Sequence, residues 1–201
     1  MTTEPTVFIV DDDPAVRESL ELLLQSRGIR TRSFPDARTF LDAYHSGLRG
    51  CLLVDVRMPG LSGLDLQTRL TQVNSTLPVI VMSGHGDVPM AVRAIKAGAL
   101  DFLEKPFDTH ALVELVRRSL ELDARRRHQR QQMDTERARV ALLTDRERQV
   151  LRHIADGHYN RVIADELGIS ISTVEAHRRK VMEKLRAQTM YELVRIVDNY
   201  L

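Results

Sequence analysis

The feature that most narrows the fold is a set of short apolar runs, each stopping abruptly on a polar residue. Cys51-Leu52-Leu53-Val54 ends on Asp55, and a Met58-Pro59-Gly60 turn then carries the chain away. Thr6 to Val10 ends on Asp11-Asp12-Asp13-Pro14, Pro78 to Met82 on Ser83-Gly84, and Leu100 to Glu104 on Lys105-Pro106. Such runs read as strands of a parallel sheet covered on both faces. Arg30 to Phe34 alternates weakly, as an edge strand does. Helical spacings lie between them: Val16, Leu20, Leu23 and Leu24 up to Gly28; Phe40 and Leu41 after Asp36; Leu66, Leu70 and Val73 after Ser62. Ala91, Val92 and Ile95 up to Gly98, and Ala111, Leu112, Leu115 and Val116, complete the set. Strand then helix, five times over, predicts an α/β domain over residues 1–120. Its sheet is flavodoxin-like, doubly wound, parallel and five-stranded, in the order 2-1-3-4-5.

Beyond residue 120 the character changes. Residues 121–142 carry Arg125-Arg126-Arg127, His128 and Arg130, with no Gly or Pro and no apolar stripe. They read as a solvated helical linker, with a Met133–Val140 heptad step that leaves pairing with a second copy open. Residues 143–201 form a small all-α domain. Thr144 and Glu147 make a capping box before Val150, Leu151, Ile154 and Ala155. Helices over Asn160–Leu167 and Ser172–Leu185 flank a Gly168-Ile169-Ser170 turn, and a last helix covers Thr189–Tyr200. Helix, tight turn, helix is the pattern of a helix-turn-helix.

No apolar run reaches the roughly 18 residues of a membrane helix, and the N-terminus lacks a signal peptide's basic start and apolar core, so a cytoplasmic protein with no membrane partner is expected. The single cysteine, Cys51, falls in a strand and reads as core, which excludes a disulfide framework and a thiolate zinc site. Residues 1–119 carry 13 Lys+Arg against 15 Asp+Glu, a net −2, and residues 120–201 carry 16 against 13, a net +3. The excess in the second part hints at a polyanion partner.

Each strand-end residue has an ordinary structural reading: Asp55 caps a turn, Asp11 to Asp13 cap a helix, Ser83 is a strand-end hydroxyl, Lys105 lies in a turn. Together they mean more. In the 2-1-3-4-5 order the first and third strands adjoin, which brings Asp11 and Asp12 beside Asp55. Three carboxylates in one place need a cation. Hard oxygen donors without His or Cys point to Mg²⁺. With Ser83 as a hydroxyl donor and Lys105 as an ammonium, they form a clamp for a phosphoryl group in transfer, with Asp55 as nucleophile. His85, between Gly84 and Gly86, reads as a solvated loop residue or a donor to that phosphate.

On the third helix of the second domain, Val174, His177, Val181 and Leu185 share the face to be buried. Glu175, Ala176, Arg179, Lys180 and Glu183 lie opposite, where a helix can enter a major groove. Arg179 suits guanine and Glu175 a cytosine amine, while Arg178, Lys184 and Arg161 suit phosphates.

These residues carry a resemblance. Asp11-Asp12, Asp55-x-x-Met58-Pro59-Gly60, Ser83 and Lys105-Pro106 make residues 6 to about 120 similar to a response-regulator receiver domain. The family implies that Asp55 accepts phosphate from a histidine kinase and that Asp12, Asp55 and the Arg57 carbonyl hold Mg²⁺, with Asp11 assisting. It also implies that Ser83 and Phe102 act as a switch and that Lys105–Pro106 is cis. Leu143-Thr144-x-Arg146-Glu147, Gly157-x-x-Asn160-x-x-Ile163-Ala164 and Thr173-Val174-x-x-His177 closely resemble the LuxR-type helix-turn-helix. That likeness places His177 in the core, gives base reading to Glu175, Ala176 and Arg179 with Thr173 and Lys180 nearby, and gives dimer contact to the last helix. Many relatives carry Lys where Glu175 stands and an acid where Val162 stands, so the DNA sequence read is expected to differ. The combination resembles the NarL/FixJ family, closest to its FixJ-like branch. It implies a regulator that dimerises on phosphorylation, through the face around the fourth helix and fifth strand, and binds promoter DNA. RNA polymerase is a further expected partner, and self-phosphorylation with slow autodephosphorylation the only chemistry.

Two rivals stand beside this. One is a phosphohydrolase of the haloacid-dehalogenase kind, with Asp11 as nucleophile and Asp13 as acid/base, although Ala15 departs from that pattern. The other is a DNA-binding protein whose first domain only dimerises and is never phosphorylated.

Overall fold

The computed structural model describes residues 4–84 and 88–200. The chain divides into two compact units, Met1–His128 and Gln129–Leu201. The first contains β1 (Thr6–Val10), α1 (Pro14–Gln25), β2 (Thr31–Phe34), α2 (Ala37–Ala43) and β3 (Gly50–Asp55). It continues with α3 (Gly63–Gln72), β4 (Val79–Ser83), α4 (Val88–Lys96), β5 (Asp101–Glu104) and the start of α5 (Thr109–Ala141). The strands lie in the order β2-β1-β3-β4-β5, all parallel, as the sequence predicts.

Side chains of successive strand residues point to opposite faces, and both faces are covered. Val7, Ile9, Cys51, Leu53, Ile80 and Met82 pack with Leu20 and Leu24 of α1 and with Leu112 and Val116 of α5. Phe8, Val10, Leu52, Val54, Val79 and Val81 pack on the other side with Phe40, Leu66, Leu70, Met90 and Ala94 from α2, α3 and α4. Burial on both sides explains why the runs are continuously apolar rather than alternating. Local chemistry fixes the helix starts. Asp13 accepts from the Ala15 N–H with Pro14 in the first turn, Asp36 caps α2, and Ser62 with Asp65 closes a capping box on α3.

Two helical stripes differ from expectation. In α3, Val73 caps the C-terminus and is exposed. In α4, Met90 and Ala94 face the sheet, while Val88, Val92 and Ile95 are exposed. That helix offers two apolar stripes, and spacing alone does not choose between them. Gln67 of α3, itself buried, donates to the Ala94 carbonyl (3.0 Å) and accompanies the choice.

The stretch read as a solvated linker is partly committed to the two units. Asp123 is buried and accepts from the Gly50 N–H (2.9 Å) and from Arg127, which also donates to the Leu48 carbonyl. Val140 packs in the core of the second unit, so the heptad step from exposed Met133 is not a free apolar seam.

The second unit adds α6 (Asp145–Ala155), α7 (Asn160–Leu167), α8 (Ile171–Leu185) and α9 (Met190–Tyr200). Its core gathers Leu143, Val150, Leu151, Ile154, Ile163, Val174, Val181, Leu185, Leu193 and Ile196. Gly168, at φ 62°, ends α7, and Ser170 starts α8 by accepting from the Thr173 N–H (3.1 Å). A left-handed glycine between two such caps is what a helix-turn-helix turn requires.

Candidate functional site

Strand register assembles the first site. Val10 pairs with Val54, so Asp11 and Asp55 follow side by side at the tips of β1 and β3. Asp55 pairs with Met82, and Ser83 with Glu104, which puts Ser83 and Lys105 one step further along β4 and β5. Asp11, Asp55 and Ser83 are all buried. The Lys105 ammonium lies 2.6 Å from Asp11 Oδ2 and 2.7 Å from Asp55 Oδ1. The second oxygen of each acid is also engaged: Asp11 Oδ1 accepts from the Asp13 N–H (3.0 Å), and Asp55 Oδ2 from the Arg57 N–H (2.6 Å). Burial alone would lower the Lys105 pKa, but hydrogen bonds and charge from Asp11 and Asp55 outweigh it and hold the ammonium above its ordinary value. The Lys105–Pro106 bond is cis.

The structure thus brings Asp11, Asp55, Lys105 and Ser83 together. Asp12 differs. It is exposed on the loop after β1. The cation between the two buried acids is Lys105 itself. Phe102 is half-buried against the α2–α3–α4 face of the core. His85 lies outside the described residues. The donor set of buried Asp11, Asp55 at the strand tip and exposed Asp12 fits Mg²⁺, which takes few carboxylates and keeps its waters.

Two supports were not evident from sequence. Arg17 of α1 donates to the carbonyls of Asp11 (2.7 Å) and Asp12 (3.0 Å), tying down the loop after β1. Gly63, the first residue of α3, packs so closely that a Cβ there would lie 2.2 Å from the Asp55 carbonyl oxygen. A Gly63→Ala chain is expected to lose about 1–3 kcal/mol, because strand tip and helix must move apart. Urea unfolding checks the loss, and slower uptake of phosphate from acetyl phosphate checks the displacement of Asp55.

In the second unit α8 divides as its periodicity predicts. Val174, Val181 and Leu185 are buried; Glu175, Arg179 and Lys180 are exposed; Thr173, Ala176 and Arg178 are half-buried; Arg161 on α7 is exposed. His177 lies half-buried, with its Nδ1 buried and unpaired among the described residues. Lys184 departs from the expected set. Its ammonium is 2.6 Å from Glu147 Oε2 and 3.1 Å from the Leu142 carbonyl, so it serves the fold instead of standing free for a phosphate.

Among the described residues no helix is long and apolar enough to cross a membrane. Residues 7–117 match the response regulator receiver domain, and residues 141–197 match the luxR family of bacterial regulatory proteins. The chain is 49% identical over 190 residues to the transcriptional regulatory protein FixJ of Azorhizobium caulinodans, spanning 94% of this chain and 90% of that protein. It is 42% identical over 195 residues to the response regulator protein TmoT of Ectopseudomonas mendocina, spanning 97% and 89%. Among solved structures, response regulator StyR matches with a TM-score of 0.90 at 45% identity, covering 98% of this chain and all of that one. Full-length FixJ from B. japonicum matches at 0.59 and 42%, covering 98% and 97%. The phosphohydrolase reading falls with these matches. The chain belongs to the FixJ-like response regulators, phosphorylation-dependent transcription regulators in which a receiver domain is joined to a LuxR-type helix-turn-helix.

Proposed function

We propose that Asp55 is the phosphoacceptor and that a sensor histidine kinase's phosphohistidine is the donor. The observation that carries this is the Lys105 ammonium seated between Asp55 and Asp11. Attack by an Asp55 oxygen forms an O–P bond as the N–P bond to the histidine breaks. The acyl phosphate adds negative charge at the strand tips, and Lys105 follows it from the carboxylate to a phosphoryl oxygen. A Mg²⁺ ion held by Asp11, Asp12, Asp55 and the Arg57 carbonyl supplies, when bound, neutralisation of that charge. Ser83, on the next strand tip, turns its hydroxyl toward the phosphoryl group, and half-buried Phe102 fills the space it leaves. Water later releases the phosphate slowly, so each chain carries one phosphoryl group and does not turn over a substrate.

Exposed Val88, Val92, Ile95 and Leu100 give α4 and the approach to β5 an apolar surface suited to dimerisation after that switch. On DNA, Glu175, Ala176 and Arg179 read bases, with Thr173 and Lys180 beside them, while Arg178 and Arg161 contact phosphates. The last helix, with Met190 and Tyr191 exposed, supports a dimer whose two reading helices lie about one duplex turn apart. RNA polymerase is the partner at the promoter, in the cytoplasm.

The test is footprinting on promoter DNA with and without beryllofluoride, a phosphoryl mimic that needs the same site. Protection of a palindromic site is expected at lower protein concentration with the mimic, and chelating Mg²⁺ is expected to remove the gain. Equal protection in both conditions would refute the switch.

A further inference from the structure

The end of α6 closes in a turn that places two histidines together. Gly157, at φ 79°, donates its N–H to the Ile154 carbonyl (3.1 Å), and His158 donates its N–H to the His153 carbonyl (3.0 Å). This is the Schellman arrangement, in which the side chains at the His153 and His158 positions meet, ordinarily as an apolar contact. Here the rings lie 5.4 Å apart at 32°, with Nδ1 atoms separated by 3.2 Å. Glu166, in the last turn of α7, brings Oε2 to 3.0 Å from His153 Nδ1 and 3.5 Å from His158 Nδ1.

These three atoms form a closed triangle. Zinc bound tetrahedrally by imidazole and carboxylate has bonds of about 2.0–2.2 Å, which sets neighbouring donor atoms about 3.3–3.5 Å apart. Sides of 3.0, 3.2 and 3.5 Å lie close to that edge length. Without a metal, both Nδ1–H groups donate to the shared Glu166 Oε2. A metal ion accepts all three lone pairs at once.

We propose that His153, His158 and Glu166 form a binding site for a divalent transition-metal ion of the zinc class, with water at the fourth corner. The side chains are 24%, 38% and 47% exposed, which leaves that corner open to solvent. Two imidazoles select zinc over Mg²⁺, which prefers all-oxygen sets, so this site is chemically distinct from the acid pocket around Asp55. The ion clips the end of α6 to the end of α7. Since Ile154, Ile163, Ala164 and Val174 share one core, the clip also steadies the seat of α8.

The experiment uses the untagged full chain in excess Mg²⁺, which fills the acid pocket. Calorimetric titration with Zn²⁺ is expected to show one ion per chain, and Co²⁺ to give the visible absorption of a low-coordinate site. His153→Gln and His158→Gln are each expected to weaken Zn²⁺ binding about a hundredfold, the upper end of what even outer-sphere partners contribute. Zn²⁺ is expected to raise the unfolding temperature of the native chain and not that of the variants. Glu166→Gln, on an exposed side chain, gives the same loss with the least risk to folding. Absence of Zn²⁺ binding by the native chain, or variants that bind Zn²⁺ as tightly as the native chain, would overturn the site and leave a proton-shared cluster.

Discussion

Replacing Asp55 by asparagine is expected to abolish phosphorylation outright while leaving the fold in place. A carboxamide is not a nucleophile for a phosphoryl group, so no acyl phosphate forms. The structural cost is bounded. Asp55 accepts from two donors, Lys105 and the Arg57 N–H, and Asn offers one oxygen, so one donor faces an NH₂ group. That mismatch costs about 1–3 kcal/mol, within the stability of an ordinary domain. Mass spectrometry after acetyl phosphate treatment is expected to find one added phosphoryl group on the native chain and none on the variant. Allosteric couplings of about 1–3 kcal/mol correspond to about 5–150-fold in affinity. The native chain is expected to gain promoter affinity in that range on phosphorylation, and Asp55→Asn to gain none. A variant that still took up phosphate, or tightened on DNA after treatment, would move the acceptor elsewhere. A native chain that acquired no phosphate would favour a first domain that only dimerises.

What the sequence made legible is what local rules control. Strands buried on both sides announce themselves as continuous apolar runs, so β1, β3 and β4, the polar residues at their tips and a parallel sheet are readable, whereas the order β2-β1-β3-β4-β5 comes from taking the flavodoxin-like arrangement and not from the repeat itself. Caps behaved likewise, as Asp13, Ser62 and Thr144 show. Long-range pairings were not readable. Nothing local marks Asp123 as the partner of the Gly50 N–H, 73 positions away, or Lys184 as the partner of Glu147, 37 away. A lysine on the outer part of a helix in a basic domain looks like a phosphate contact until its partner is seen. The α4 stripes failed for another reason: when both candidate faces are apolar, periodicity carries no sign. Gly63 was silent because close backbone approach leaves no pattern in the sequence. His153 and His158 are five apart, a spacing that joins side chains only because Gly157 bends the chain back.

The Glu147–Lys184 pair ties α6 to α8, and Glu147→Ala is expected to lower the DNA-binding unit's stability by about 3 kcal/mol. Two contributions add. The Glu147 carboxylate accepts from the Thr144 N–H (2.8 Å), closing the capping box of α6, and such caps are worth about 0.5–2 kcal/mol. It also neutralises Lys184, and removing one partner of a buried pair costs about 3–5 kcal/mol. Lys184 is 32% exposed on its side chain and can partly return to water, which places the total near the lower figure. The pH dependence has a definite sign. Burial alone would raise the Glu147 pKa, but the Lys184 ammonium and the Thr144 donors outweigh it, and the pKa is lowered. A carboxylate with a lowered pKa stabilises the fold above its unfolded value and loses that contribution as pH falls through its folded value. The gap between native and Glu147→Ala chains is therefore expected to be full at neutral pH and to narrow on the acid side of the ordinary glutamate range. The chain has no Trp and four Tyr, of which Tyr159, Tyr191 and Tyr200 lie in this unit and Tyr44 in the first, so tyrosine fluorescence during urea unfolding, read in a Tyr44→Phe background, follows it. A gap that stayed constant from neutral to acid pH would show that packing, and not the ionised carboxylate, sets the contribution.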